Sequence, residues 1–131
     1  MNSIVFLCEG PDLITWLDQG ARTLTGYQPS AEGFSVLRDG GRLFCAPDDN
    51  VMNEYEPAEL ARVEELVGST PRAVVCHYTG AEVLNDLVLS LERRADVIVD
   101  NGFWTIATFP DIAARAQRNR EWITERGPGT R

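Results

Sequence analysis

Phe34-Ser35-Val36-Leu37-Arg38, then Asp39-Gly40-Gly41, then Arg42-Leu43-Phe44-Cys45-Ala46 is the stretch that decides the fold class. Two β-favouring runs flank a turn whose glycines accept the positive φ of a tight hairpin, so an antiparallel strand pair is predicted. The same grammar returns later in the chain. Val97-Ile98-Val99, Asp100-Asn101-Gly102 and Phe103-Trp104-Thr105-Ile106-Ala107 predict a second hairpin, closed by the favoured turn dipeptide Asn-Gly.

Each hairpin is preceded by a strand and a helix, and followed by a helix. Ile4-Val5-Phe6-Leu7-Cys8 is a continuous apolar run, the mark of a strand covered on both faces. Gly10-Pro11 ends it and opens a helix with Leu13, Ile14, Leu17 and Leu24 on one face and Gly26 as its stop. Trp16 lies off that stripe and is expected to be partly exposed. Tyr27 to Gly33 reads as a loop. Pro47 to Glu56 is a polar, acidic loop, after which Pro57 starts a helix through Val67 that Gly68 ends.

In the second half, Ala73-Val74-Val75-Cys76-His77-Tyr78 is the strand, and Thr79-x-x-Glu82 resembles a capping box. The helix behind it is predicted to run to about Ala95 on Val83, Leu84, Leu87, Val88 and Leu91. Thr108, Pro110 and Asp111 open a last helix carrying Ile112, Ala116 and Trp122, and the tail Gly127 to Arg131 is expected to fray.

Side by side, the halves correspond. An offset of 70 residues places Val5 on Val75, Gly10 on Gly80, Leu13 on Val83, Ile14 on Leu84 and Leu17 on Leu87. An offset of 61 places Val36 on Val97, Asp39 on Asp100 and Gly41 on Gly102. The expectation is therefore a single α+β domain over residues 1–131, made of two tandem βαββα units, about 1–68 and 72–126. Six strands would form one mixed sheet or a pseudo-twofold pair of sheets, packed with helices.

Charge separates the halves. All basic residues but the single histidine are arginine, which reads as the base composition of a GC-rich bacterial genome. Residues 1–71 hold twelve carboxylates against four arginines, whereas residues 72–131 balance at eight and eight, so the net charge of -8 belongs to the first half. Asp48 to Glu65 alone carries seven carboxylates and one arginine. That field repels a phosphate backbone, which argues against nucleic-acid binding, and attracts a basic protein. No apolar run approaches the ~20 residues of a membrane span, and Met1 to Gly10 lacks the basic start of a signal peptide. Cys8, Cys45 and Cys76 are odd in number, unpaired by motif and set in apolar runs, so buried free thiols in a reducing, cytoplasmic setting are expected.

Motifs for phosphate cradles, dinucleotides, serine hydrolysis and zinc are missing from the sequence. His77 is the only histidine; it sits mid-strand beside Cys76, whose side chain must point to the opposite face. A dyad of His77 with Cys8 would have to form across the sheet, and a structural strand histidine is the simpler reading. Asp48, Asp49, Asn50, Asn53 and Glu54 cluster oxygens but fit no EF-hand spacing, so neither a metal nor a cofactor is expected.

A small, acidic, motif-free chain with one concentrated acidic loop resembles in general profile the immunity proteins that neutralise basic toxin domains. The resemblance implies a non-enzymatic protein-binding module. Asp48, Asp49, Glu54, Tyr55, Glu56 and Glu59 are its expected patch, an aromatic anchor inside an electrostatic rim. The alternative is a duplicated regulatory domain that holds a small molecule at a pseudo-twofold junction between the Gly10 and Gly80 strand ends.

Overall fold

The computed structural model describes residues 2–102, 106–119 and 122. Their strands are β1 (Asn2–Cys8), β2 (Tyr27–Pro29), β3 (Phe34–Arg38), β4 (Gly41–Pro47), β5 (Arg72–Thr79), β6 (Ile98–Asp100) and β7 (Ile106–Thr108). The helices are α1 (Leu13–Ala21), α2 (Pro57–Val67), α3 (Ala81–Ser90) and α4 (Phe109–Arg118), with a 3-10 helix at Asp49–Glu54. All seven strands join one sheet in the order β2-β3-β4-β5-β1-β6-β7, and every neighbouring pair is antiparallel. The protein is thus α+β, with seven strands rather than six among the described residues and an antiparallel rather than mixed sheet.

The first hairpin forms where its turn residues place it, with Gly40 at φ +87° and Arg38 opposite Gly41. β1 and β5 lie at the centre, and their register puts Val5 opposite Val75, the two residues that the offset of 70 equates. From the hairpins onward the halves diverge. The second strand of the first hairpin, β4, borders β5, whereas the first strand of the second hairpin, β6, borders β1. β2 has no counterpart among the described residues of the second half. In the second hairpin Asp100 pairs with Ile106 and so belongs to the strand rather than to the turn. Phe103, Trp104 and Thr105 lie outside the described residues, as does the tail Gly127 to Arg131.

The helices divide unequally between the faces. α1, α3 and α4 bury Leu13, Leu17, Leu84, Leu87, Phe109 and Ile112 against Phe6, Phe34, Val36 and Leu43 on one face. The other face is covered only in part. There α2 and the 3-10 helix lay Val63, Leu66, Val51, Met52 and Tyr55 over Val5, Leu7, Ala73, Val75, Ile98 and Ile106. β1 is apolar throughout because it is covered on both sides, while β4 alternates buried and exposed residues because only one of its faces is.

Several local expectations change. Trp16 is buried at 7% exposure, within the core between α1 and the sheet. The Thr79–Glu82 box does not form, because β5 runs through Thr79, whose ladder partner is Arg42, and Gly80 takes the N-cap position without a side-chain bond. α3 stops at Ser90, short of Ala95: Leu91 turns to an extended conformation and the Glu92 carbonyl accepts the Trp16 Nε1–H at 3.1 Å. α4 ends at Arg118, so Trp122 lies beyond the last helix rather than on it, but it is buried, its Nε1–H donating to Asn85 Oδ1 at 2.9 Å.

Cys45 and Cys76 are cross-strand neighbours in the β4–β5 register and form a disulfide, which corrects the expectation of three free thiols. Cys8 is a free thiol and is buried. No helix among the described residues is long and apolar enough to cross a membrane.

Burial pushes the Cys8 thiol and the Tyr78 phenol above their ordinary values of 9.0 and 10.0. The folded chain therefore keeps these protons to higher pH than the unfolded chain does. Stability from this source is complete below the ordinary thiol value and is lost as pH rises through the raised folded values. Urea midpoints should fall between pH 8 and pH 10.5, and Cys8→Val should flatten the first part of that fall.

Candidate functional site

The partial cover of the second sheet face creates a half-open cleft of about 410 Å³ where the 3-10 helix and α2 overhang β5, β1 and the end of β6. Its floor is Ser3, Val5, Val75 and His77, and its wall is Asp48, Val51, Glu54, Tyr55 and Glu59, with Asp100 and Gly102 at one end. Strand alternation explains the floor. Ser3 and Val5 point away from the main core that Ile4 and Phe6 enter, and Val75 and His77 point away from the face taken by Val74 and Cys76.

The wall is built by short-range capping. The backbone N–H of Asp48 donates to Ala73 O at 3.0 Å, extending the β4–β5 ladder by one bond. Its carboxylate accepts the Asn50 N–H at 3.1 Å and so starts the 3-10 helix over the sheet. Tyr55 follows that helix in an extended conformation and sets its ring against Val5, Val75 and their neighbours. Its hydroxyl donates to Asp100 Oδ2 at 2.8 Å, while Asp100 Oδ1 accepts the Gly102 N–H at 2.9 Å. Glu56 and Glu59 then exchange a capping box. The Glu56 side chain accepts the Glu59 N–H, and Glu59 Oε1 accepts the Glu56 N–H at 3.1 Å.

Of the six residues expected to form the patch, four meet in this cleft: Asp48, Glu54, Tyr55 and Glu59. Asp49 turns the other way. It accepts Arg72 Nε and the Ala73 N–H, both at 2.9 Å, and lines a separate hollow of about 40 Å³ beside Gly10 and Pro11. Glu56 serves the helix cap and is not in the cleft lining. Compared with known proteins, the chain matches no family model, no curated protein and no solved structure.

Two further residues join the site. Asp100 is buried at 3% exposure, a charged group held by the Tyr55 hydroxyl and a backbone amide, and so more than a turn residue. His77 is exposed on the cleft floor, opposite Ser3 on β1 and opposite Phe44 on β4. Cys8 belongs to the buried opposite face, so a Cys8–His77 pair is excluded. Ser3 and His77 adjoin, but among the described residues no hydrogen bond links them and a carboxylate into a relay of the kind nucleophilic catalysis uses.

Gly10 and Gly80 do not form a junction. β1 and β5 are antiparallel, with Cys8 opposite Arg72 and Asn2 opposite Tyr78, so the two strand ends lie about 20 Å apart along the sheet. Among the described residues no group of three His, Cys, Asp or Glu side chains is placed to hold a metal ion.

What the cleft can do follows from its charges. Four carboxylates line it, no arginine does so among the described residues, and Val5, Val51 and Val75 lower the local dielectric. Such a site suits a guanidinium or ammonium group, whose hydrogens are all donors, entering on an apolar stem. The Tyr55–Asp100 bond fixes the wall. Tyr55→Phe is expected to cost about 1.5–3 kcal/mol of unfolding free energy, the range for a hydrogen bond to a charged group. Urea denaturation of the purified variant checks it.

Proposed function

We propose that the chain is a protein-binding module that captures a basic partner, with a cationic side chain of that partner seated in the cleft. The observation that carries the reading is the convergence of Asp48, Glu54, Glu59 and Asp100 around Tyr55 where the 3-10 helix and α2 overhang the sheet without closing over it. Complementary charge would speed encounter and set register, and the half-buried Tyr55 ring would supply an anchor. An acidic inhibitor of a basic toxin domain is one such relation, and the size and charge of the chain support it. The correspondence of β1–α1 with β5–α3 supports a duplicated core to which the acidic segment was added on one side only.

Anisotropy of a fluorescein-labelled tri-arginine peptide tests the reading. Affinity should fall about tenfold in Asp48→Asn/Glu54→Lys, which keeps an oxygen to cap the 3-10 helix and removes three units of negative charge, equivalent to about 1.4 kcal/mol. The control Glu64→Lys/Glu65→Gln makes the same charge change on an exposed part of α2 outside the cleft, and should alter affinity less than twofold. Equal losses in both variants would assign binding to net charge and refute the cleft.

A further inference from the structure

The cleft opens onto a strip of sheet that none of the described helices covers. Ser3 stands directly opposite His77, and His77 directly opposite Phe44, so the three occupy one row across β1, β5 and β4. Leu37 on β3 faces Arg42, which places it diagonally beside Phe44 on the same side of the sheet. Phe44 is 38% exposed and Leu37 48%, although the apolar side chains on this face beneath α2 and the 3-10 helix are covered. An aromatic and a leucine that adjoin each other, beside an acidic cleft, make a surface of different composition from a solvated strand.

Resting on the reading of the cleft as a cation receptor, we infer that the docking surface continues from the cleft over His77 to Phe44 and Leu37. The partner it fits presents a cationic side chain and, roughly 10 Å away, an aromatic or aliphatic one. That distance is two strand spacings, from β1 to β4. A second copy of this chain is the wrong occupant, because its net charge is -8 and the same acidic segment would meet its like. A basic protein segment is the occupant that charge complementarity selects. The apolar shelf supplies the area that an exposed ion pair alone does not, since exposed pairs contribute little net affinity.

Three peptides separate the two contributions: acetyl-Trp-Gly-Gly-Arg-amide, acetyl-Gly-Gly-Gly-Arg-amide and acetyl-Trp-Gly-Gly-Gln-amide, titrated into the 15N-labelled full chain. The Trp-Arg peptide should bind roughly five- to tenfold more tightly than the Gly-Arg peptide. In Leu37→Ser/Phe44→Ser that advantage should vanish while the affinity for the Gly-Arg peptide stays unchanged. Both side chains are exposed, so the variant retains its core, and a thermal unfolding curve checks this. An advantage that survives the double substitution, or that is absent from the native chain, overturns the apolar shelf and leaves the cation cleft standing. If the Trp-Gln peptide binds as well as the Trp-Arg peptide, the cation cleft itself fails and this inference falls with it.

Discussion

Trp16→Ala should lower the unfolding free energy by about 3–5 kcal/mol, the range for removing a buried aromatic side chain, with a fall in Tm of roughly 10–20 °C. The Trp16 ring meets Phe6 at 6.2 Å and Phe109 at 4.9 Å between centroids, both edge-to-face, the arrangement that the ring quadrupole favours. It therefore ties α1 to the centre of the sheet and to α4. The Arg94 guanidinium lies 5.6 Å from its ring, and its Nε1–H holds the Glu92 carbonyl. Alanine would leave a cavity among elements that cannot collapse together, because a sheet and two helices border it. Trp16→Phe keeps most of the area but loses the N–H donor, and should cost less than half as much. Urea denaturation of the three proteins measures this. A loss under 1 kcal/mol for the alanine variant would show that Trp16 is a surface residue after all.

Removing the Cys45–Cys76 disulfide is the second large effect. The bond joins β4 to β5 over a sequence separation of 31 residues. Chain entropy gives about 3–4 kcal/mol for closing a loop of that length in the unfolded state. Cys45→Val/Cys76→Val should fall by that amount with the fold retained, since both positions are fully buried and valine suits a strand interior. The loop it closes contains the whole acidic segment, including the 3-10 helix and α2. Amide exchange in residues 48–67 should accelerate more in this variant than exchange in α1 or α3. A variant as stable as the native chain under oxidising conditions would show that the two sulfurs are not bonded in solution.

Three local signals in the sequence are also features that the fold obeys. The Asp39-Gly40-Gly41 turn, the apolar run of β1 and the Pro57-to-Gly68 helix each rest on short-range chemistry, and each forms where it is read. β2 escapes such a reading because Tyr27-Gln28-Pro29 is short and polar and becomes a strand only through its partner β3. The disulfide escapes it for a related reason. Nothing local says that β4 will pair with β5 in the register that sets Cys45 against Cys76. Trp16 is misjudged because α1 packs against α3 as well as the sheet, so its buried face is wider than one apolar stripe.

The site divides along the same line. The acidity of Asp48 to Glu59 is plain in the sequence, but its use is not uniform. Asp49 is spent on Arg72 and the Ala73 amide, and Glu56 on a helix cap, whereas Asp48, Glu54, Tyr55 and Glu59 turn toward the sheet. Alternation along β5 places His77 opposite in face to Cys76, yet only the position of α2 shows that this face is open. Asp100 reads as the first residue of an Asp-Asn-Gly turn. A carboxylate at the end of a strand that is otherwise apolar is the signal that marks it as something more.

The most direct measurement is a 1H–15N and side-chain NMR titration of the full chain with N-acetyl-arginine amide, which carries one guanidinium and no other charge. The backbone amides of Asp48, Glu54, Tyr55, Glu59 and Asp100 and the His77 ring should shift together along one saturating curve. Shifts spread over unrelated carboxylates such as Glu64, Glu65 and Glu92, with the His77 ring unmoved, would contradict it.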